Sequence, residues 1–226
     1  MSLVNVRQDI MMWQRNNLSV KQRFEEDFEF EGLRLKQTLD TEPPSCVYDT
    51  AIVLAKYLSE TNNLEIANST ILELGAGTGF TGIYLSKLEI VDKAILTDVP
   101  NLIPLLQQNI KANGCEETRV QGASLHWASQ SDLETVIDLA DQRIDFILGG
   151  DIVFDFEHFD GLHNLLVQVF ERCKTKKAFI AFTKRFSDIE TWFQEGLIEH
   201  GFRIEEATDT PKEWSLENVT ILIVSR

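Results

Sequence analysis

Short apolar runs alternate with longer stretches of helical spacing through most of this chain. The runs Ile71 to Leu74, Ala94 to Thr97, Val120 to Leu125, Phe146 to Gly149 and Ala178 to Phe182 have the length and continuous hydrophobicity of buried strands. Between and after them, apolar residues recurring every three or four positions predict helices at about 79–88, 101–113, 158–173 and 188–200. None is assigned between Leu125 and Phe146. Upstream, Ala51, Val53, Leu54 and Leu58 give Tyr48 to Leu58 one apolar helical face. Strand and helix in alternation predict an α/β fold, a Rossmann-like parallel sheet with helices on both faces. Two further strands, Phe202 to Ala207 and Val219 to Val224, are joined by a mostly polar stretch without a helix. They are expected to pair as an antiparallel hairpin at one edge, completing a seven-stranded sheet.

The N-terminal part reads differently. From Phe28 to Leu35 the pattern has period two, with Gly32 where a turn would sit, which predicts a β-hairpin. Thr41-Glu42-Pro43-Pro44-Ser45 then breaks regular structure. This divides the chain into an extension over residues 1–45 and a domain over 46–226. Residues 1–22 are mixed, either an arm or a helix around Ile10 to Trp13. At 226 residues the chain suits one domain, with no repeats or low-complexity tracts.

Composition narrows the partners. Thirty-six acidic side chains against 21 basic give a net charge of -15, with no basic stripe, so nucleic acid and anionic membrane are not expected. No apolar run reaches the roughly 18 residues of a membrane span. Cys46, Cys115 and Cys173 are widely spaced and odd in number, which indicates neither a disulfide framework nor a zinc site. His126, His158, His163 and His200 show no metal spacing and read as surface or strand-end residues. No metal is expected, and a cytoplasmic monomer, also nuclear as a second location, is the expectation.

The chemistry concentrates where Ile71 to Leu74 runs into Gly75-Ala76-Gly77-Thr78-Gly79. A strand, a glycine loop and a helix in succession let a ligand approach backbone that carries no Cβ. Asp98 closes the next strand, 19 positions beyond Gly79, where a carboxylate can accept from both hydroxyls of a ribose. A nicotinamide dinucleotide shares that feature. However, its fingerprint wants Gly or Ala where this chain has Phe80, and Glu73 suits a cationic amine better than a phosphate.

Four segments in order, Val47 to Leu54, Glu73 to Gly79, Leu125-His126-Trp127 and Gly149-Gly150-Asp151-Ile152-Val153-Phe154, resemble the seven-strand protein-lysine methyltransferases that act on elongation factors, chaperones and calmodulin. The resemblance implies S-adenosylmethionine as cofactor. It implies that Tyr48, where the family usually has tryptophan, closes over the methionine part, that Gly75, Ala76, Gly77 and Gly150 give close backbone approach, and that Trp127 lies beside the adenine. It also implies that Asp151 and Phe154, at the carboxyl end of a strand, receive a lysine nitrogen, Asp151 by hydrogen bonding and Phe154 through an aromatic wall. A protein substrate follows, with an elongation factor or a chaperone expected. A small-molecule methyltransferase or an NAD-dependent enzyme on a similar sheet is the alternative. Lys184 and Arg185, after the fifth strand, either meet the substrate or face solvent, and solvent is the expectation.

Overall fold

The computed structural model describes residues 18–43, 45–185 and 187–226. The helix considered around Ile10 to Trp13 lies outside them. The described chain opens with a short helix α1 (Val20–Phe24), whose Ser19 and Gln22 form a reciprocal cap. A hairpin of β1 (Phe28–Phe30) and β2 (Leu33–Leu35) follows. Next come α2 (Asp49–Lys56), continued by a π-helical turn at Tyr57–Thr61, and a single turn α3 (Asn63–Ile66). From there strands and helices alternate: β3 (Thr70–Leu74), α4 (Phe80–Lys87), β4 (Lys93–Asp98), α5 (Ile103–Ala112), β5 (Val120–Ser124), α6 (Gln130–Leu139), β6 (Phe146–Gly150), α7 (Phe159–Cys173), β7 (Lys177–Thr183) and α8 (Ser187–Glu199). The chain ends with β8 (Arg203–Glu206) and β9 (Val219–Ser225).

The main sheet has seven strands in the order β5-β4-β3-β6-β7-β9-β8. The first five are parallel, and β9 runs antiparallel to both β7 and β8. The C-terminal hairpin therefore sits at one edge as expected, with β9 inserted inside β8. Both sheet faces are buried, so alternate residues of one strand serve two cores. Ile71 points into the core that holds α2, α4 and α5, whereas Leu72 and Leu74 point into the core of α6, α7 and α8.

Helix α6 was not anticipated. Ser129 caps it by accepting from the Asp132 N–H, and Leu133, Val136 and Ile137 bury its inner face. The 3.6-residue spacing is present in the sequence at Leu133, Val136, Ile137 and Ala140, but it is short, and Asp132, Glu134 and Asp138 occupy the outer face.

The hairpin packs into the first core. Phe30 meets Phe80, Tyr84 and Trp214 edge-on, with ring centroids 5.4–5.8 Å apart. Beneath these rings Lys56 is buried, its Nζ 2.8 Å from Glu31 Oε1, 3.0 Å from Tyr84 Oη and 4.8 Å from the Trp214 ring centroid. Burial alone would push this ammonium down, but bonds to Glu31, Tyr84 and Glu60 reverse that and hold it above its ordinary range. One buried charge thus ties β1–β2, α2, α4 and the loop before β9 together.

Candidate functional site

In the strand order, β3 has β4 on one side and β6 on the other, the switch point at which open α/β sheets place ligands beyond their carboxyl ends. A cleft of about 700 Å³ opens there. That volume lies in the usual range for small-molecule sites, roughly 300–1,000 Å³. All ten residues expected at the site line it: Tyr48 and Glu73, the loop Gly75 to Gly77, Asp98, Trp127, and Gly150, Asp151 and Phe154.

The loop after β3 is shaped by backbone that side chains disfavour. Gly77 has φ +54 and Gly79 φ +83. A Cβ on Gly79 would sit 2.6 Å from Leu106 Cδ1, so both the dihedral and the packing demand glycine. The Gly77 N–H donates to Asp98 Oδ2 at 2.7 Å, and the Val99 N–H to Asp98 Oδ1 at 2.8 Å. Burial pushes the Asp98 carboxyl up, and these two donors pull against that.

Glu73 is buried at the base of the cleft and accepts the Gly82 N–H at 2.9 Å, one of the free donors in the first turn of α4. Burial is the largest influence and raises it to about 7; the Gly82 donor opposes, and the nearby Asp98 adds to the rise. A carboxyl of this kind gains from a cation placed in the cleft.

Tyr48, at the start of α2, is half-buried, and burial first, then Cys46 beside it, raises its phenol. Trp127 meets His158 edge-on at 6.2 Å, and Phe154 meets the same ring at 6.1 Å. His158 thus holds two aromatic walls of the cleft apart, a role the sequence did not suggest. A Cβ on Gly150 would make ordinary contact with Ala51 at 3.5–3.7 Å, so the close approach here is to α2.

The largest departure from expectation concerns Asp151. It follows β6 with φ +60, a conformation Asp tolerates better than most residues. Its N–H donates to Ala181 O at 2.7 Å, and its Oδ1 accepts the Thr183 N–H at 3.2 Å, so the end of β7 orients the carboxylate. Its Oδ2 accepts from Arg185 Nη2 at 2.5 Å. Arg185 therefore does not simply face solvent; it lines the cleft and is the partner of Asp151. Parallel pairing of β6 with β7 brings the residues that follow the two strands to the same end of the sheet, where these two side chains can meet. His163 is a second correction. It is buried in α7 with Nε2 3.0 Å from Phe193 O, because α8 closes over it.

The charge of the cleft is lopsided. Glu42, Glu73, Asp98, Asp151, Asp155 and Glu157 line it, and among the described lining residues Arg185 alone is a lysine or arginine. A pyrophosphate would meet six carboxylates, whereas a cationic ligand meets a complementary field. Apolar Val99, Leu102 and Leu125 beside Asp98 supply a surface for a base next to a ribose acceptor. Among the described residues no group of His, Cys, Asp and Glu could hold a metal ion.

A model of lysine methyltransferases matches residues 27–199. This chain belongs to the lysine methyltransferase family. The match takes in the N-terminal hairpin and every strand through β7. The chain is similar to EEF1A lysine methyltransferase 3 of Xenopus tropicalis, 34% identical over 48% of this chain and 44% of that protein. It is also similar to the protein N-lysine methyltransferase METTL21A of the same organism, 32% identical over 62% of this chain and 59% of that protein. The matched part thus spans about half the length of these relatives. In fold it is similar to an O-methyltransferase family protein from Burkholderia thailandensis, with TM-score 0.58 at 14% identity over 97% of this chain and 70% of that chain. The cofactor that goes with the family is S-adenosylmethionine, and the anionic cleft, its glycine loop and the Asp98 acceptor fit that cationic nucleoside.

Proposed function

We propose that this protein transfers methyl groups from S-adenosylmethionine to a lysine side chain of another protein, with a translation elongation factor or a chaperone as substrate and the cytoplasm as the place of action. The observation that carries this reading is the anionic cleft at the switch point, where Asp151 and Phe154 stand at the mouth. Bound there, the cofactor supplies an electrophilic methyl group on a sulfonium.

The roles of the residues follow from their places. Asp98 accepts from the ribose hydroxyls, the loop Gly75 to Gly77 gives close backbone approach, and Glu73 faces the methionyl ammonium. Trp127 lies against the base, and Tyr48 and Gly150 close the methionyl side. Asp151, with two of its roughly four acceptor positions taken by Thr183 and Arg185, keeps acceptor capacity for a substrate nitrogen. Phe154, 47% exposed, offers a face to an alkyl ammonium. Displacement at a methyl carbon needs alignment more than acid or base help, so positioning and exclusion of water are the main contributions of this chain.

A macromolecular substrate is supported by the surface beside the cleft. Phe156, two residues beyond Phe154, meets Trp192 of α8 edge-on at 5.2 Å, and the two rings are 42% and 63% exposed. Such an apolar ridge next to a charged mouth suits a partner chain better than a free metabolite.

Titration with S-adenosylhomocysteine against NADH separates the cofactor classes. A lysate incubated with labelled donor then shows whether protein takes up methyl groups on lysine. Asp151→Ala is expected to abolish transfer and leave S-adenosylhomocysteine affinity nearly intact. Tight NADH binding, or label only in small molecules, would overturn the proposal.

A further inference from the structure

Among its described lining residues, a cleft built for cations has one permanent cation of its own, and it sits on the acidic group nearest the substrate. Arg185 Nη2 lies 2.5 Å from Asp151 Oδ2, and the Asp151 side chain is only 6% exposed. The Arg185 N–H donates to Glu190 Oε1 of α8 at 3.0 Å, which fixes the backbone that carries the guanidinium. Neighbouring Lys184 turns the other way, its Nζ 3.5 Å from Glu206 of β8. The pairing is therefore built by two anchors, the end of β7 on Asp151 and the start of α8 on Arg185.

We propose that Arg185 is a positioning residue that cancels the field of Asp151 on the incoming amine, so that a lysine loses its proton inside the cleft. The inference rests on the lysine-methylation reading. A bare carboxylate within about 4–6 Å raises an amine by roughly one to three pKa units, holding it as the unreactive ammonium. A carboxylate paired with a guanidinium presents a small dipole in place of a charge. It still accepts a hydrogen bond and so still orients the nitrogen.

The step balances. The ammonium gives its proton to water, and the nitrogen lone pair forms the N–C bond as the C–S bond breaks. The C–S electron pair remains on sulfur, and the positive charge passes from sulfur to nitrogen.

The other groups around Asp151 do not perform this neutralisation. Tyr48 faces it from the start of α2 and carries no positive charge. Asp155 accepts the Glu157 N–H at 3.1 Å and lies 4.0 Å from His158 Nε2, within its own turn. Glu190 is satisfied by the Arg185 backbone. Deeper in the cleft, Glu73 and Asp98 are turned towards backbone N–H groups.

The test compares Arg185→Gln and Arg185→Lys with the parent, using as acceptor the unmethylated form of the protein that the labelled lysate identifies. In the glutamine variant the acid limb of kcat should move up by about one pH unit or more. Turnover should be depressed at pH 7 and recover towards pH 10, while KM for the protein substrate falls. Lysine at this position should restore the parent profile. A second probe needs no turnover: n-butylammonium, titrated at pH 7 into protein loaded with S-adenosylhomocysteine, should bind about tenfold tighter to the glutamine variant than to the parent or the lysine variant. If the glutamine variant melts early, Arg185→Met, which keeps the apolar stem, takes its place. An unmoved profile, a loss of kcat by the same factor at every pH, or a gain at every pH overturns the inference. So does equal affinity for n-butylammonium. If the parent labels no lysine, the functional reading fails; if it does and the variant profile is unmoved, only the role of Arg185 fails.

Discussion

The backbone N–H of Gly77 donates to Asp98 Oδ2 at 2.7 Å, so the loop after β3 and the end of β4 hold one another in place. Asp98→Ala removes an acceptor from both Gly77 and Val99. Affinity for S-adenosylhomocysteine is expected to fall more than tenfold, and stability to fall by roughly 1–3 kcal/mol, the usual cost of leaving buried donors unpaired. Calorimetry and urea unfolding check the two effects separately. Unaltered affinity would remove Asp98 from the cofactor site.

Glu73 gives a pH signature. Its carboxyl is raised by burial to about 7 from 4.5, so the unfolded chain ionises first. Its contribution to stability is complete below about pH 4.5 and is lost as pH rises through about 7. Glu73→Gln should therefore melt close to the parent at pH 4 and above it at pH 8, by up to about 3 kcal/mol. S-adenosylhomocysteine should bind the parent more tightly at pH 8 than at pH 6, with proton release visible in buffers of different ionisation enthalpy. Pairs of melts with the same difference at both pH values would count against the shift.

Gly82 lies where α4 crosses β4. A Cβ there would fall 2.1 Å from Leu96 Cδ2 and 2.8 Å from Glu73 Oε2. Gly82→Ala is expected to cost at least about 1–3 kcal/mol by overpacking. Adding Leu96→Val should recover part of that loss, and an additive pair of changes would argue that the contact is not the cause.

Lys56 joins four segments beneath the aromatic cluster. Lys56→Ala removes a buried ammonium that bonds Glu31, Tyr84 and Glu60 and is expected to destabilise the protein by roughly 3–5 kcal/mol. Lys56→Met, which refills the volume, should not recover it unless Glu31 is also neutralised. Urea unfolding followed by tryptophan fluorescence reads both.

The Phe156–Trp192 ridge separates substrate binding from cofactor binding. Trp192→Ala should raise KM for the protein substrate severalfold, with melting temperature and S-adenosylhomocysteine affinity nearly unchanged because the ring is 63% exposed. An unchanged KM would place the docking surface elsewhere.

Much of this protein was written locally. The five parallel strands, the two that form the C-terminal hairpin, the glycine loop and Asp98 all follow from periodicity and spacing, because a buried strand must be continuously apolar and a tight ligand loop must lack Cβ atoms. Even α6 carried a readable stripe. The tertiary structure alone decided where unlike segments meet. It inserted β9 between β7 and β8, seated the N-terminal hairpin on α4 through Phe30, and closed α8 over His163. Above all it gave Asp151 its partner. A residue beyond one strand meets a residue beyond the next only after the two strands pair in register, and no local pattern encodes that register. The 34 positions that separate Asp151 from Arg185 along the chain are spanned by a helix and a strand, and hydrogen bonding between β6 and β7 reduces them to 2.5 Å.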